Sequence, residues 1–98
     1  MAQAVRRHIR VMGLGHEEFM RSLAPVLAGR RWRGAPGQVW IQLASGQVEI
    51  RLGPEQSYRL GALVLPRTEV ILEFRGVDDE GVDEFLRHFD LGFRRGGG

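Results

Sequence analysis

The chain reads as an α+β domain: a single antiparallel five-stranded sheet, order 1-5-4-3-2, with two helices on one face. Three observations predict it. Apolar residues alternate with a period of two over Val5–Val11, Val39–Leu52 and Val70–Phe74. Two apolar stripes at helical spacing, Phe19/Leu23/Leu27 and Val82/Phe85/Leu86/Phe89, flank the central strands. The middle strands are joined by connections too short for parallel crossovers, so they should run as an antiparallel meander.

The first strand is Val5–Met12, with Val5, Arg7, Ile9 and Val11 alternating against Arg6, His8, Arg10 and Met12. One of its faces is therefore basic, and that face is expected on the outside of the sheet. Gly13 and Gly15 close the strand, and Glu17 and Glu18 favour a helix start, giving a first helix over about His16–Ala28 with Gly29 as its cap. Pro25 removes the bond to the Arg21 carbonyl, so a kink or an early end near Leu23 is expected. The stretch Arg30–Arg33 leads into a Gly34–Gly37 turn, with a short edge strand there or none.

Val39, Ile41 and Leu43, then Ser45-Gly46, then Val48, Ile50 and Leu52 have the pattern of a two-residue hairpin. That turn pairs Leu43 with Val48, Ile41 with Ile50 and Val39 with Leu52, and sets Gln42 against Glu49 and Trp40 against Arg51 on the other face. A fourth strand is expected over Tyr58–Leu65, a turn at Pro66-Arg67, and a fifth strand over Thr68–Arg75 with Val70, Leu72 and Phe74 inward. Depending on turn length, either Leu60, Ala62 and Val64 or Gly61, Leu63 and Leu65 face the core. Apolar residues on both faces of that fourth strand suggest a central or covered strand. Asp78 is an N-cap candidate with Val77 and Val82 as its staple, and the second helix should end near Asp90 with Gly92 as the stop. The domain is then residues 1–93, followed by an Arg/Gly tail over 94–98.

The order strand, helix, four strands, helix is similar to the TATA-binding-protein-like group of folds. The likeness is one of topology and implies no activity.

Composition narrows the chemistry. A chain of 98 residues without cysteine has no disulfide, thiolate metal site or thiol nucleophile. All fourteen cations are arginine, which reads as the codon bias of a GC-rich, bacterial-type genome and removes Schiff-base chemistry. No apolar run approaches the ~20 residues of a membrane span and no secretory signal opens the chain, so a soluble, cytoplasmic protein is expected. A net charge of +2 is too small to imply nucleic acid by itself.

No residues form an enzyme constellation. His8, His16 and His88 lie on different elements without metal-ligand spacing, and Ser22, Ser45, Ser57 and Thr68 lack a nucleophile-elbow context. Gly13 and Gly15 sit between strand and helix like a phosphate loop, but the third glycine is missing and a turn explains them. The expectation is a non-enzyme without cofactor or metal.

What remains is a sheet face carrying Arg6, His8, Arg10, Trp40, Arg51 and Ile71. Its basic and aromatic groups suit an RNA reader of the sheet-surface kind, whereas Glu49, Glu69 and Glu73 on the same face would turn it into a lattice of cross-strand ion pairs, the favoured reading. Its apolar part suits an interface. The ending Arg94-Arg95-Gly96-Gly97-Gly98 resembles the ends of ubiquitin-like modifiers and sulfur carriers, which implies activation at Gly98. The leading expectation is a binding or adaptor domain working through its sheet face on a protein partner or a second copy. Its alternatives are a carrier activated at the Gly-Gly end, nucleic-acid binding through the arginines, and an apolar ligand held among Phe74, Phe85 and Phe89.

Overall fold

The computed structural model describes residues 5–94, which form β1 (Val5–Met12), α1 (His16–Leu27), β2 (Trp32–Ala35), β3 (Gln38–Gln42), β4 (Gln47–Leu52), β5 (Gln56–Leu60), β6 (Leu63–Arg75) and α2 (Asp79–Arg94). The class is α+β, with one antiparallel sheet in the order β1-β6-β4-β3-β2 and β5 paired to β6 outside that path. Taken in chain order, the five strands of the path are arranged 1-5-4-3-2 as the sequence predicts. The membership differs: Trp32–Ala35 supplies the outer strand, and Tyr58–Leu65 is not a central strand.

The inner face is built by the alternation of the strands. Val39, Ile41, Val48, Ile50, Val70, Leu72 and Phe74 are all 0–1% exposed and meet Phe19 and Leu23 of α1 and Val82, Phe85 and Phe89 of α2 in one core. Phe74 meets Phe85 edge-on at 5.7 Å, and Phe85 meets Phe89 at 6.3 Å. Aromatic rings thus fill the space that an apolar ligand among Phe74, Phe85 and Phe89 would need. Both helices lie on this side and leave the opposite face of the sheet without a helix.

Several local expectations are corrected. The β3–β4 register pairs Ile41 with Val48 and Val39 with Ile50, two residues away from the predicted pairing, around a four-residue loop closed by Leu43 N–H donating to Gly46 O at 2.7 Å. An even shift keeps every side chain on its predicted face. Gly46 sits against the β6 end: a Cβ there would lie 2.7 Å from the Gly76 carbonyl carbon, so the loop must widen around a residue without a side chain.

The turn predicted at Pro66-Arg67 is instead inside β6, and the chain reverses at Gly61-Ala62, where Gly61 has φ 62°. Pro66 pairs with Ser57 of β5, whereas β1 first meets β6 at Thr68. Only one side of the strand is paired at Pro66, which is where a missing N–H is tolerated. The five residues from Leu52 to Gln56 oppose the four from Val70 to Arg67, so β4 and β5 form one strand interrupted by a bulge at Gly53–Glu55.

The first helix fills its expected span without an early end near Leu23, and the second runs past its expected stop. α1 runs through Pro25 to Leu27, because Pro25 falls in the last turn and Val26 and Leu27 beyond it are buried. α2 begins as predicted, with Asp78 Oδ1 accepting from Gly81 N–H at 2.8 Å and Val77 and Val82 buried together. It continues past Asp90 to Arg94, since Phe93 stacks on Phe19 at 4.9 Å and Phe89 at 4.6 Å. Gly92 is a close approach to α1 rather than a stop: a Cβ would sit 2.9 Å from Val26 Cγ2.

Candidate interaction face

The face of the sheet away from the helices is set by β6. Its Glu69, Ile71, Glu73 and Arg75 alternate with the core residues, and the register places Val11, Ile9, Arg7 and Val5 of β1 opposite them in turn. On the other flank come Gln47, Glu49 and Arg51 of β4, followed by Gln38, Trp40 and Gln42 of β3.

That register corrects the orientation of β1. Arg6, His8 and Arg10 share the helix side with Phe74, Leu72 and Val70. Arg6 forms an ion pair with Asp79 at the start of α2, Arg10 reaches Asp90 near its end at 3.3 Å, and His8 meets the Phe74 ring edge-on at 5.8 Å. The basic row clamps a helix with complementary charge, and the apolar row faces outward. Trp40, Arg51 and Ile71 do lie on the open face, all half-buried.

The centre of the face is an acid held by three arginines. Glu73 is 4% exposed. Its Oε2 accepts from Arg7 Nε at 2.9 Å and Nη2 at 2.6 Å, while Oε1 lies 3.4 Å from Arg51 Nη1 and 3.5 Å from Arg75 Nη2. Glu49 is the direct cross-strand neighbour of Glu73, a repulsive pair, and Arg51 bridges them with Glu49 Oε1 at 3.7 Å. The Arg7 hydrogen bonds hold the Glu73 carboxyl below its usual pKa, helped by the charges of Arg51, Arg7 and Arg75 and opposed by burial. The ion-pair lattice exists, with Arg7 in place of Arg6 and Arg10.

Around that centre the face is apolar along β1. Val5, Ile9 and Val11 are 47%, 53% and 55% exposed. Val11 and Tyr58 line one recess with Arg67, so the β1 row continues onto the β5–β6 ribbon and its Leu60 and Leu63. At the opposite edge, Arg31, Trp32, Arg33, Trp40, Gln42 and Gln47 line a recess of about 260 Å³. Arg33 lies over Trp40 at 5.0 Å, and neither Arg31 nor Arg33 has an acidic partner among the described residues.

The other candidates are structural. His16 Nε2 bonds to the Gly53 carbonyl at 2.7 Å, and Glu55 Oε1 accepts from His16 N–H at 2.8 Å. A carboxylate of the chain itself thus occupies the anion position at the α1 N-terminus, beside the Gly13/Gly15 turn. Among the described residues, no three His, Asp or Glu side chains are grouped to hold a metal, and no helix is long and apolar enough to cross a membrane. Arg95, Gly97 and Gly98 lie outside the described residues, and of Arg94 only the backbone, at the end of α2, is within them.

The sequence reading placed Glu73 on this face but missed Arg7 and the row Val5/Ile9/Val11 as face residues. The available signal was parity: Val70, Leu72 and Phe74 fix the inner side of β6, and whichever β1 residues pair with Glu69, Ile71 and Glu73 must be outside. No protein-family model matches the chain, and neither a curated protein nor a solved structure is found to be similar to it.

Proposed function

We propose that the protein is a non-enzymatic binding or adaptor domain whose working surface is the helix-free face of the sheet. The observation that carries this is the outward placement of Val5, Ile9 and Val11 while Arg6 and Arg10 of the same strand are turned inward to α2. A strand edge with its apolar side to water and its charges satisfied on the core side is the reverse of what stability of a lone domain favours. It is accounted for when something covers the apolar side. Glu73, whose carboxyl is held below its usual pKa, is enclosed by Arg7, Arg51 and Arg75 and so contributes to the charge pattern of this surface.

The experiment is affinity capture from the source cells with the intact protein, with Ile9→Asp on the open face, and with Glu84→Arg on the outer side of α2. The same partner should be recovered with the parent and Glu84→Arg and lost with Ile9→Asp. Equal recovery with all three, or none with any, rejects the reading.

A second reading, binding of single-stranded nucleic acid, draws support from the Arg31/Arg33/Trp40 recess, where guanidinium groups without an acidic partner among the described residues frame an indole. Both tryptophans of the chain line that recess. Titration with an oligothymidylate should therefore quench their fluorescence in a salt-dependent way, with the effect lost in Arg33→Ala. Unchanged emission at low salt rejects it.

A further inference from the structure

Beyond the Gly53–Glu55 bulge, β5 and the Leu63–Arg67 part of β6 pair with each other as a projecting arm, and all five residues of β5 are exposed. A two-stranded ribbon with nothing against it is marginal in water. This one nevertheless carries a block of large apolar side chains on a single side, since Tyr58 faces Leu65 and Leu60 faces Leu63 as direct cross-strand pairs. Strand alternation along β6 puts Leu63 and Leu65 on the side of Ile71 and Glu73, away from the helices. The β1 row Val5/Ile9/Val11 opens to that same side. Two apolar surfaces on one side of one sheet cannot cover each other within a single molecule.

We infer that the open face is covered by a second copy of this chain, related by a two-fold axis, with the arm of each copy laid along the β1 row of the other. This rests on the reading of the face as a binding surface and names what binds there. The lengths are compatible: Val5 to Val11 spans about 20 Å, enough to seat the about 13 Å from Gln56 to Leu60. A two-fold repeats the contact, so arm and row each find a partner and the assembly closes as a dimer.

Edge-to-edge pairing is disfavoured at the arm, where Pro66 offers no N–H to an added strand. Val5, Ile9, Val11, Tyr58, Leu60 and Leu63 are each roughly half open. At about 60–120 Å² of apolar surface per fully open side chain and with apolar atoms about 60% of an interface, the two copies bury on the order of 1,000 Å² in total. That is the small end of specific interfaces, so dissociation is expected in the micromolar range, about 1–100 µM.

Sedimentation of the full chain from about 1 to about 500 µM, bracketing that range, should pass from monomer to dimer. The double variant Leu60→Asp/Leu63→Asp and the single variant Val11→Asp should each sediment as monomers throughout, with unchanged circular dichroism because all three positions are exposed. Mixing the two variants should restore a weaker dimer, since one intact arm still meets one intact row; arm-on-arm packing would give no such rescue. A parent protein that is monomeric over the whole range overturns the inference, as does a dimer that survives both sets of substitutions. If the parent is monomeric yet Ile9→Asp still abolishes capture of another protein, only the second-copy inference falls. The binding face itself then stands.

Discussion

Glu73 is the one buried charged side chain among the described residues, and its energetics follow from what holds it. The carboxyl is nearly covered, while its partners Arg7, Arg51 and Arg75 keep 60%, 35% and 43% of their side chains exposed. Replacing the acid therefore leaves guanidinium groups that water can rescue, and the loss is limited to the charged hydrogen bonds. Glu73→Gln should lower stability by about 1–2 kcal/mol, read as a shift of the urea midpoint at pH 7. Because the folded carboxyl has a depressed pKa, the unfolded chain takes up its proton first as the solution is acidified. The stabilisation is complete above the ordinary carboxylate value of about 4.3 and is lost as pH falls through the lower, folded value. The difference in midpoint between parent and Glu73→Gln should shrink over that acidic window and stay constant above pH 6; a difference that grows on acidification contradicts the assignment. Gly46 makes a second, sharper case. Any side chain there meets the Arg75–Gly76 backbone, which has no flexible end to move aside, so Gly46→Ala should cost more than about 2 kcal/mol in the same measurement.

Elements show where sequence periodicity suffices and where it does not. The inner faces of β3, β4 and β6 were legible because Val39, Ile41, Val48, Ile50, Val70, Leu72 and Phe74 alternate with polar neighbours and a register shift of two leaves them in place. The α2 start was equally legible from Asp78, Val77 and Val82, whose contacts are local. β1 was not. Its two rows, Val5/Arg7/Ile9/Val11 and Arg6/His8/Arg10/Met12, define two faces, but the choice between them is made by β6 and by carboxylates 73 and 80 residues further along the chain. The same limit applies to Gly92, which reads as a helix stop until the closeness of Val26 is known, and to Pro66, a turn residue unless one side of its strand is free. Pro25 is the element-scale prediction. It lacks the bond to Arg21 and crowds that turn, yet buried Val26 and Leu27 hold the helix together beyond it. Pro25→Ala restores the bond at an exposed site, against a loss of chain stiffness worth about 0.4–1 kcal/mol in the unfolded state. A net gain of about 1 kcal/mol or more is expected, checked by a rise in the thermal midpoint.

At the scale of the whole molecule, stability is unevenly distributed, and that distribution bears on the assembly. β6 spans about 43 Å at 3.3 Å per residue, most of the 51 Å long axis of the protein. Its Thr68–Arg75 half is flanked by β1 and β4 above the core, and its Leu63–Arg67 half by β5 alone. One strand thus joins the most buried part of the domain to the least buried, and the arm should open locally at a small fraction of the global unfolding free energy. Amides of Gln56–Leu60 and Leu63–Leu65 should therefore exchange early in dilute protein, well before those of Val70–Phe74. If arms are seated on a second copy, their opening must first break that contact, and protection gains a term that grows with concentration as binding to the native state does. Exchange in the arm should slow across the range in which the dimer forms. Amides of β3, which are remote from the arm and the β1 row, should not follow in proportion. The Leu60→Asp/Leu63→Asp variant should show fast arm exchange at every concentration. Arm protection that is already high in the dilute parent, and the same in that variant, would mean that the ribbon is stable alone, and the physical reason for expecting it to be covered would be gone.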